Sequence, residues 1–453
     1  MSLLPFDSPL LGPLLSDPET AALLDDRAQV KAMLAFEAAL ARAEGRSGVI
    51  PEGAAAEIAE VAGVVEIAPE SLAEGTAQDG IPVPALVAAL RRAVAEAAGG
   101  EAAAYVHWGA TTQDVMDTGL VLRLRGILDI FQRRLAALGD RLAALAEAES
   151  ETVMLARTRG QQASPTSFGL KAAGWLAPLD RHRARLAELR PRLELLSFGG
   201  AAGNLSALGE AGPAVEAALG EELELALPAL PWHTQRDGLV ELGGWLGLVC
   251  GSLGKMAGDI LLMCQNEVGE LREGPHNGVQ GGGSSTLPQK QNPIRSEAVL
   301  SLTRHVAGLT GQLQLAGFHS HERDGVAWQM EWLVLPQMLA GTGAALLQAE
   351  ALLEGLEIDR AKMRANIEAT RGLALAEAAS FALSARMDRP AAQRLVKDAC
   401  REALASGRPL MEILAERSDP AVGRAIDWQA LADPARQTGA ATDFIRRVLR
   451  ARS

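Results

Sequence analysis

Thirteen consecutive residues, Gly281 to Pro293 (Gly-Gly-Gly-Ser-Ser-Thr-Leu-Pro-Gln-Lys-Gln-Asn-Pro), combine free backbone, adjacent serine hydroxyls, a cation and an amide. Glycine lets the backbone turn freely and approach a ligand closely, while Pro288 and Pro293 stiffen the far end. Ser284, Ser285, Lys290, Asn292 and the loop N–H groups suit a segment that closes over an anion, as backbone nests and lids do. The expected ligand is a carboxylate or phosphate. The segment is not a Walker loop, because it lacks Gly-Lys-Ser/Thr, and no Gly-x-Ser-x-Gly elbow occurs.

Four further polar clusters stand out. His107-Trp108-Gly109-Ala110-Thr111-Thr112-Gln113-Asp114 predicts a helix starting near Thr111 or Thr112, whose hydroxyls and free N–H groups either face an anion or serve as an ordinary N-cap. Arg157 to Thr166, with Thr158, Gln161 and Gln162, has the polar density of a binding loop or of a solvated one. Trp232 to Asp237 leads into a helical pattern, with His233 read as a structural hydrogen-bonder. A last group, His319, His321, Glu322, Arg323 and Asp324, places its histidines two apart, which disfavours metal ligation.

What positions these clusters is helical. The 453 residues are 48% hydrophobic, 22% charged and only 4% aromatic, and rich in Ala, Leu, Glu and Arg, so an all-α protein is expected. Three stripes alternate by four and three: Leu124, Leu128, Phe131, Leu135, Leu138, Leu142, Leu145; Leu242, Leu246, Val249, Leu253, Met256, Ile260, Met263; and Val299, Leu302, Val306, Leu309, Leu313. That spacing suits near-parallel bundle helices, the first at least roughly 33 Å long. Glycine and proline punctuation suggests three segments: a helical N-terminal domain over 1–106, the bundle over 107–352 with its loop at 274–293, and a C-terminal helical domain over 353–453. Flat apolar stripes also suggest self-association.

The net charge of −13 disfavours nucleic acid and anionic membranes as partners. Arg181 to Arg192 interleaves leucines at helical spacing and reads as a solvated helix face. Cys250, Cys264 and Cys400 have neither the count nor the spacing of a disulfide framework, which points to a cytoplasmic setting. Met1 to Pro13 carries no secretory pattern, and no uninterrupted apolar run is long enough to span a membrane.

Gly283 to Pro293 resembles the signature loop of the fumarase/aspartase superfamily, usually Gly-Ser-Ser-x-Met-Pro-x-Lys-x-Asn-Pro. His107 to Asp114, Thr158 to Pro165 and Gln235 to Asp237 resemble its other conserved pieces, in order and spacing. Ala32 to Glu44, Phe198 to Gly203, Trp232 to Asp237, and Glu331-Trp332 with Leu335-Pro336 resemble its bacterial carboxymuconate cycloisomerase branch. The resemblance implies a three-domain all-α fold and a homotetramer whose active sites combine segments of different subunits, with no metal or organic cofactor. It implies Ser284 as proton donor, supported by Ser285 and Lys290. Lys290 and Asn292 would hold one substrate carboxylate, Thr111, Thr112 and Gln113 a second, and Arg236 a third. His107, Thr158, Gln161, Gln162, Gln235, His321 and Arg323 would complete the site. The implied reaction is intramolecular addition of a carboxylate to a diene, giving 4-carboxymuconolactone in the protocatechuate branch of the β-ketoadipate pathway. A lyase of adenylosuccinate, argininosuccinate or a substituted analogue is the alternative.

Three positions depart from the superfamily pattern. Leu287 replaces the usual Met and Thr112 the commoner Ser, both mild changes. Gln162 stands where many of these lyases carry histidine, and glutamine transfers no proton near neutrality. That loss is serious for expelling an amine and mild for a lactonisation, whose nucleophile is already an ionised carboxylate. Gln162 therefore favours the cycloisomerase. Intact Ser284, Lys290 and Asn292 disfavour a binding protein that merely keeps the fold.

Overall fold

A computed structural model describes residues 4–452. The chain forms two compact units that interleave along the sequence: one contains residues up to Arg134, His182–Gly251 and Ser301–Leu347, the other Leu135–Arg181, Ser252–Leu300 and residues from Gln348 onward. Nearly all regular structure is helical, as expected for this fold class.

In the first unit, helix α1 (Asp26–Arg46) starts where the Asp25 side chain accepts from Ala28 N at 2.7 Å, an N-cap bond that satisfies an otherwise orphan donor. It buries Met33, Phe36 and Leu40, and on the same buried face the carboxyls of Glu37 and Glu44. Leu196, Phe198, Val215 and Leu219 join this core from far along the chain, with the Phe36 and Phe198 rings 6.5 Å apart. The second unit has a smaller core built around Ala379, Leu383, Leu410 and Leu414.

Five long helices carry the expected stripes: α2 (Thr112–Ala148), α3 (Phe168–Leu193), α4 (Asp237–Met263), α5 (Ile294–Ala316) and α6 (Gly325–Glu354). Every stripe residue is buried except Leu145, which is half-buried. With 37 residues, α2 runs about 55 Å, well beyond the minimum set by its stripe. By length and composition alone α4 is apolar enough to cross a membrane, but its apolar stripe is the one buried here in protein.

Two short antiparallel sheets interrupt the helices. Strand β1 (Val153–Thr158) pairs with β2 (Gln161–Ser167), and β3 (Leu271–Glu273) with β4 (Leu356–Ile358). No strand was expected from the sequence, and the second polar cluster is a hairpin rather than a loop. Its turn is Arg159-Gly160, with φ of 53° and 78°, the paired left-handed conformation of a two-residue type I′ turn. Cys250, Cys264 and Cys400 are unpaired thiols. Burial pushes Cys250 up to about 12 and Cys264 up to about 11, and it raises Cys400 as well.

Candidate active site

The N-terminus of α2 is tied down by one of its own first-turn carboxylates. Thr111 precedes the helix, and its N–H donates to Asp114 Oδ2 at 2.9 Å, the acidic half of a capping box. Asp114 is fully buried and also accepts from the N–H groups of Gly199 (2.9 Å) and Gly200 (3.0 Å), while His233 Nε2 lies 2.7 Å from its Oδ1. One carboxylate thus fixes the helix end, the Phe198–Gly203 turn and His233. His233 is the structural hydrogen-bonder its surroundings suggested.

Beside Asp117, one turn further along α2, Arg236 from the segment entering α4 occupies the middle of a buried charge cluster. Its Nη1 and Nη2 donate to Asp117 at 2.6 and 3.1 Å, and its Nε and Nη2 donate to Glu331 at 2.8 and 2.6 Å. The guanidinium carbon sits 4.7 Å from the Trp232 ring centroid. Burial acts to lower the guanidinium's affinity for its proton, but the two carboxylates overcome it and raise the pKa above its ordinary value. For Glu331, burial pushes up but the hydrogen bonds from Arg236 hold the carboxyl below its ordinary range. The expectation that Arg236 grips a substrate carboxylate is corrected here: its fork is already filled by two protein carboxylates. Gln113 is likewise spent. It is fully buried, donating to Asp117 Oδ2 (3.1 Å) and the His233 carbonyl (2.8 Å) and accepting from Arg323 Nε (3.1 Å).

Around these anchors stand more open groups, of which Arg323 is partly committed to Gln113 and the Ala201 carbonyl. Thr112 is half-buried, and Gln235, His321 and Arg323 are exposed. His107 is held by Glu37, whose Oε1 lies 2.6 Å from Nδ1. Glu37 in this region was not among the sequence candidates, and His319 was weighed there only as a metal ligand. Glu37 was hidden inside an apolar helix stretch, although a carboxylate on a buried face is itself a signal. His319 has a fully buried side chain with Nε2 3.4 Å from Glu331 Oε1, yet neither ring nitrogen makes a hydrogen bond among the described residues. A cavity of about 680 Å³ opens beside the cluster, lined by Met33, Asp117, Arg123, Trp328, Glu331 and Trp332 among others.

The second unit carries the remaining candidates in two places. Thr158, Gln161 and Gln162 are exposed at the hairpin tip, and Gln161, Gln162 and Ser164 line a cavity of about 760 Å³ with Thr370, Arg371 and Glu377. Arg157, at the hairpin base, is committed to Glu270 through two bonds of 2.8 and 2.7 Å. The glycine-serine loop leaves β3 and returns to α5. Gly283 bridges Gln291, and Asn292 N donates to the Gly282 carbonyl at 2.7 Å. Gly282 has φ 77°, and a Cβ there would overlap the Asn292 carbonyl oxygen, so only glycine fits this crossing. Glu273 anchors the return by accepting from Arg295 N (3.0 Å), Ser296 N (2.9 Å) and Ser296 Oγ (2.6 Å) at the start of α5.

Within the loop, Ser284 is half-buried and its Oγ accepts from the N–H groups of Leu287 (3.1 Å) and Thr286 (3.3 Å). Two donors therefore aim at the oxygen that would carry negative charge once the hydroxyl gives up its proton. Ser285 and Lys290 are exposed, Asn292 is half-buried, and the Lys290 ammonium has no partner among the described residues.

The lyase family model matches residues 17–308, and a model of the adenylosuccinate lyase C-terminus matches residues 372–448. The chain belongs to this lyase family. Among the members it resembles, the 3-carboxy-cis,cis-muconate cycloisomerase of Pseudomonas aeruginosa is 47% identical over 94% of this chain and 93% of that protein. The crystal structure of the 3-carboxy-cis,cis-muconate lactonizing enzyme from Pseudomonas putida superposes with a TM-score of 0.91 at 41% identity, covering 98% of each chain. A fumarate lyase from Mesorhizobium sp. BNC1 superposes with a TM-score of 0.89 at 37% identity, over 97% of this chain and 99% of that one. The fumarase/aspartase resemblance of the loop is thus carried by the whole lyase fold.

Proposed function

We propose that this lyase-family enzyme is a 3-carboxy-cis,cis-muconate cycloisomerase. A carboxylate of the substrate adds intramolecularly to the diene, forming the lactone C–O bond. The displaced electron pair moves onto the adjacent carbon and into its carboxylate as an aci-carboxylate, and Ser284 delivers a proton to that carbon. The observation that carries this reading is the pair of N–H donors on Ser284 Oγ, which stabilise the alkoxide left behind. Kinship to the cycloisomerases over nearly the full chain supports the substrate class.

In this scheme Lys290 and Asn292 hold the carboxylate on which charge develops, while His107, Thr111 and Thr112 meet another. Ser285, Thr158, Gln161, Gln162, Gln235, His321 and Arg323 line the remaining site. Arg236 and Gln113 shape it without touching substrate. We assign the active form to a homotetramer with sites shared between subunits. Its support is that candidate residues are divided between two units, and that Leu248, Leu262, Leu315 and Leu333 stand exposed on the bundle helices. The three unpaired thiols suit the cytoplasm.

Loss of muconate ultraviolet absorbance on adding 3-carboxy-cis,cis-muconate tests the assignment. Fumarate release from adenylosuccinate or argininosuccinate, with no change in the muconate, would replace it by the amine-lyase reading.

A further inference from the structure

Glu37 and Glu44 lie two turns apart on the buried face of α1, where a carboxyl is costly unless it has a task. Glu37 is fully buried and gives Oε1 to His107 Nδ1 at 2.6 Å, while its Oε2 is buried without a hydrogen-bond partner among the described residues. His107 adopts a left-handed backbone at φ 62°, a strained conformation for a residue with a Cβ. That twist is held while the ring faces α1, 70 residues earlier in the chain. Its Nε2 meets no partner among the described residues.

We propose that Glu37 is a positioning residue: it fixes the His107 imidazole with Nδ1 turned inward and Nε2 open, so that His107 meets a substrate carboxylate as a cation. The proposal rests on the reading of His107 as a substrate contact. Two-point logic of this kind is general for histidine, since the partner of one ring nitrogen sets what the other presents.

The electrostatics agree. Burial and Arg91, whose Nη2 donates to the Val106 carbonyl at 3.1 Å, favour the neutral ring. Glu37 on α1 and Asp114 on α2 favour the charged ring and prevail, so the His107 pKa lies above its ordinary value. Glu44 contributes no competing charge near neutrality, because burial, and then Glu37, push its carboxyl up to about 9. Since the histidine is raised, its charge persists to higher pH than in an ordinary histidine and disappears as pH climbs through the shifted value. Asp114 couples this charge to the helix cap, because it also binds the Thr111 N–H.

The decisive measurement is the His107 ring titration in the whole protein, by NMR of 13C- and 15N-labelled histidine assigned with His107→Gln. In the unmutated protein the ring is expected to titrate above the usual histidine range with Nδ1 carrying a proton. A titration at or below that range overturns the proposal even if no variant folds. Glu37→Gln keeps the shape and removes the charge, and should move the titration down by about one unit, which at pH 7.5 raises KM about tenfold with little change in kcat. Glu37→Asp should recover part of the shift, and Glu44→Gln should leave it in place. An unchanged titration in Glu37→Gln overturns the proposal, as does a KM rise of the same size when His107 is already Gln. The titration requires no substrate, so it judges the Glu37–His107 pair even if muconate turnover is not found.

Discussion

The buried cluster around Arg236 and the exposed loop from Gly281 to Pro293 solve opposite problems with the same kinds of side chain. In the cluster the charged groups and the amide are answered by protein: Arg236 spans Asp117 and Glu331, Asp114 accepts from two glycine amides and Thr111, and Gln113 uses both ends of its amide. In the loop, Ser285 to Lys290 are exposed, and the lysine charge has no partner among the described residues. A saturated network keeps its geometry with no ligand present, whereas a loop with unanswered donors obtains part of its order from what it binds. Polar density in a sequence therefore marks both framework and working parts, and only the partners tell them apart.

The sharpest way to break this contrast is Ser284→Ala. Removing the proton donor should lower kcat by roughly 10³-fold while the thermal transition and subunit assembly stay as they were. Near-normal turnover would remove Ser284 from the chemistry. Next in size is Arg236→Met, which strands Asp117 and Glu331 as buried charges and should cost about 3–5 kcal/mol in denaturant unfolding. Unchanged stability with a raised KM would return Arg236 to the substrate. Gly282→Ala forces a Cβ against the Asn292 carbonyl at a left-handed φ, and should reduce turnover by about 10–100-fold through displacement of the loop, with a small change in melting temperature. Gln162→Ala should cost less than about tenfold, because an ionised carboxylate nucleophile needs no base. A loss equal to that of Ser284→Ala would give Gln162 a role in the chemistry.

The helices were legible because their signal repeats: Leu242 to Met263 gives seven matching positions on one face, and all seven are buried. The β1–β2 hairpin was not, since each strand is short and its register depends on the Arg159-Gly160 turn rather than on a pattern. The loop's residue types were readable because they occur within thirteen consecutive positions. Arg236 was misjudged for the converse reason. Its partners are 119 and 95 residues away, and a bidentate fork looks the same in sequence whether it awaits a substrate or is already filled. Glu37 escaped notice likewise, with its histidine 70 residues downstream.

The thiols bear on how this protein ages. A cysteine reacts with oxidants and alkylating agents as its thiolate, and burial has moved Cys250 to about 12 and Cys264 to about 11, with Cys400 also raised. Near neutrality almost none of the Cys250 or Cys264 population is in the reactive form. Brief exposure to iodoacetamide near neutrality should therefore leave Cys250 and Cys264 largely unalkylated in the folded protein, as mass spectrometry would show.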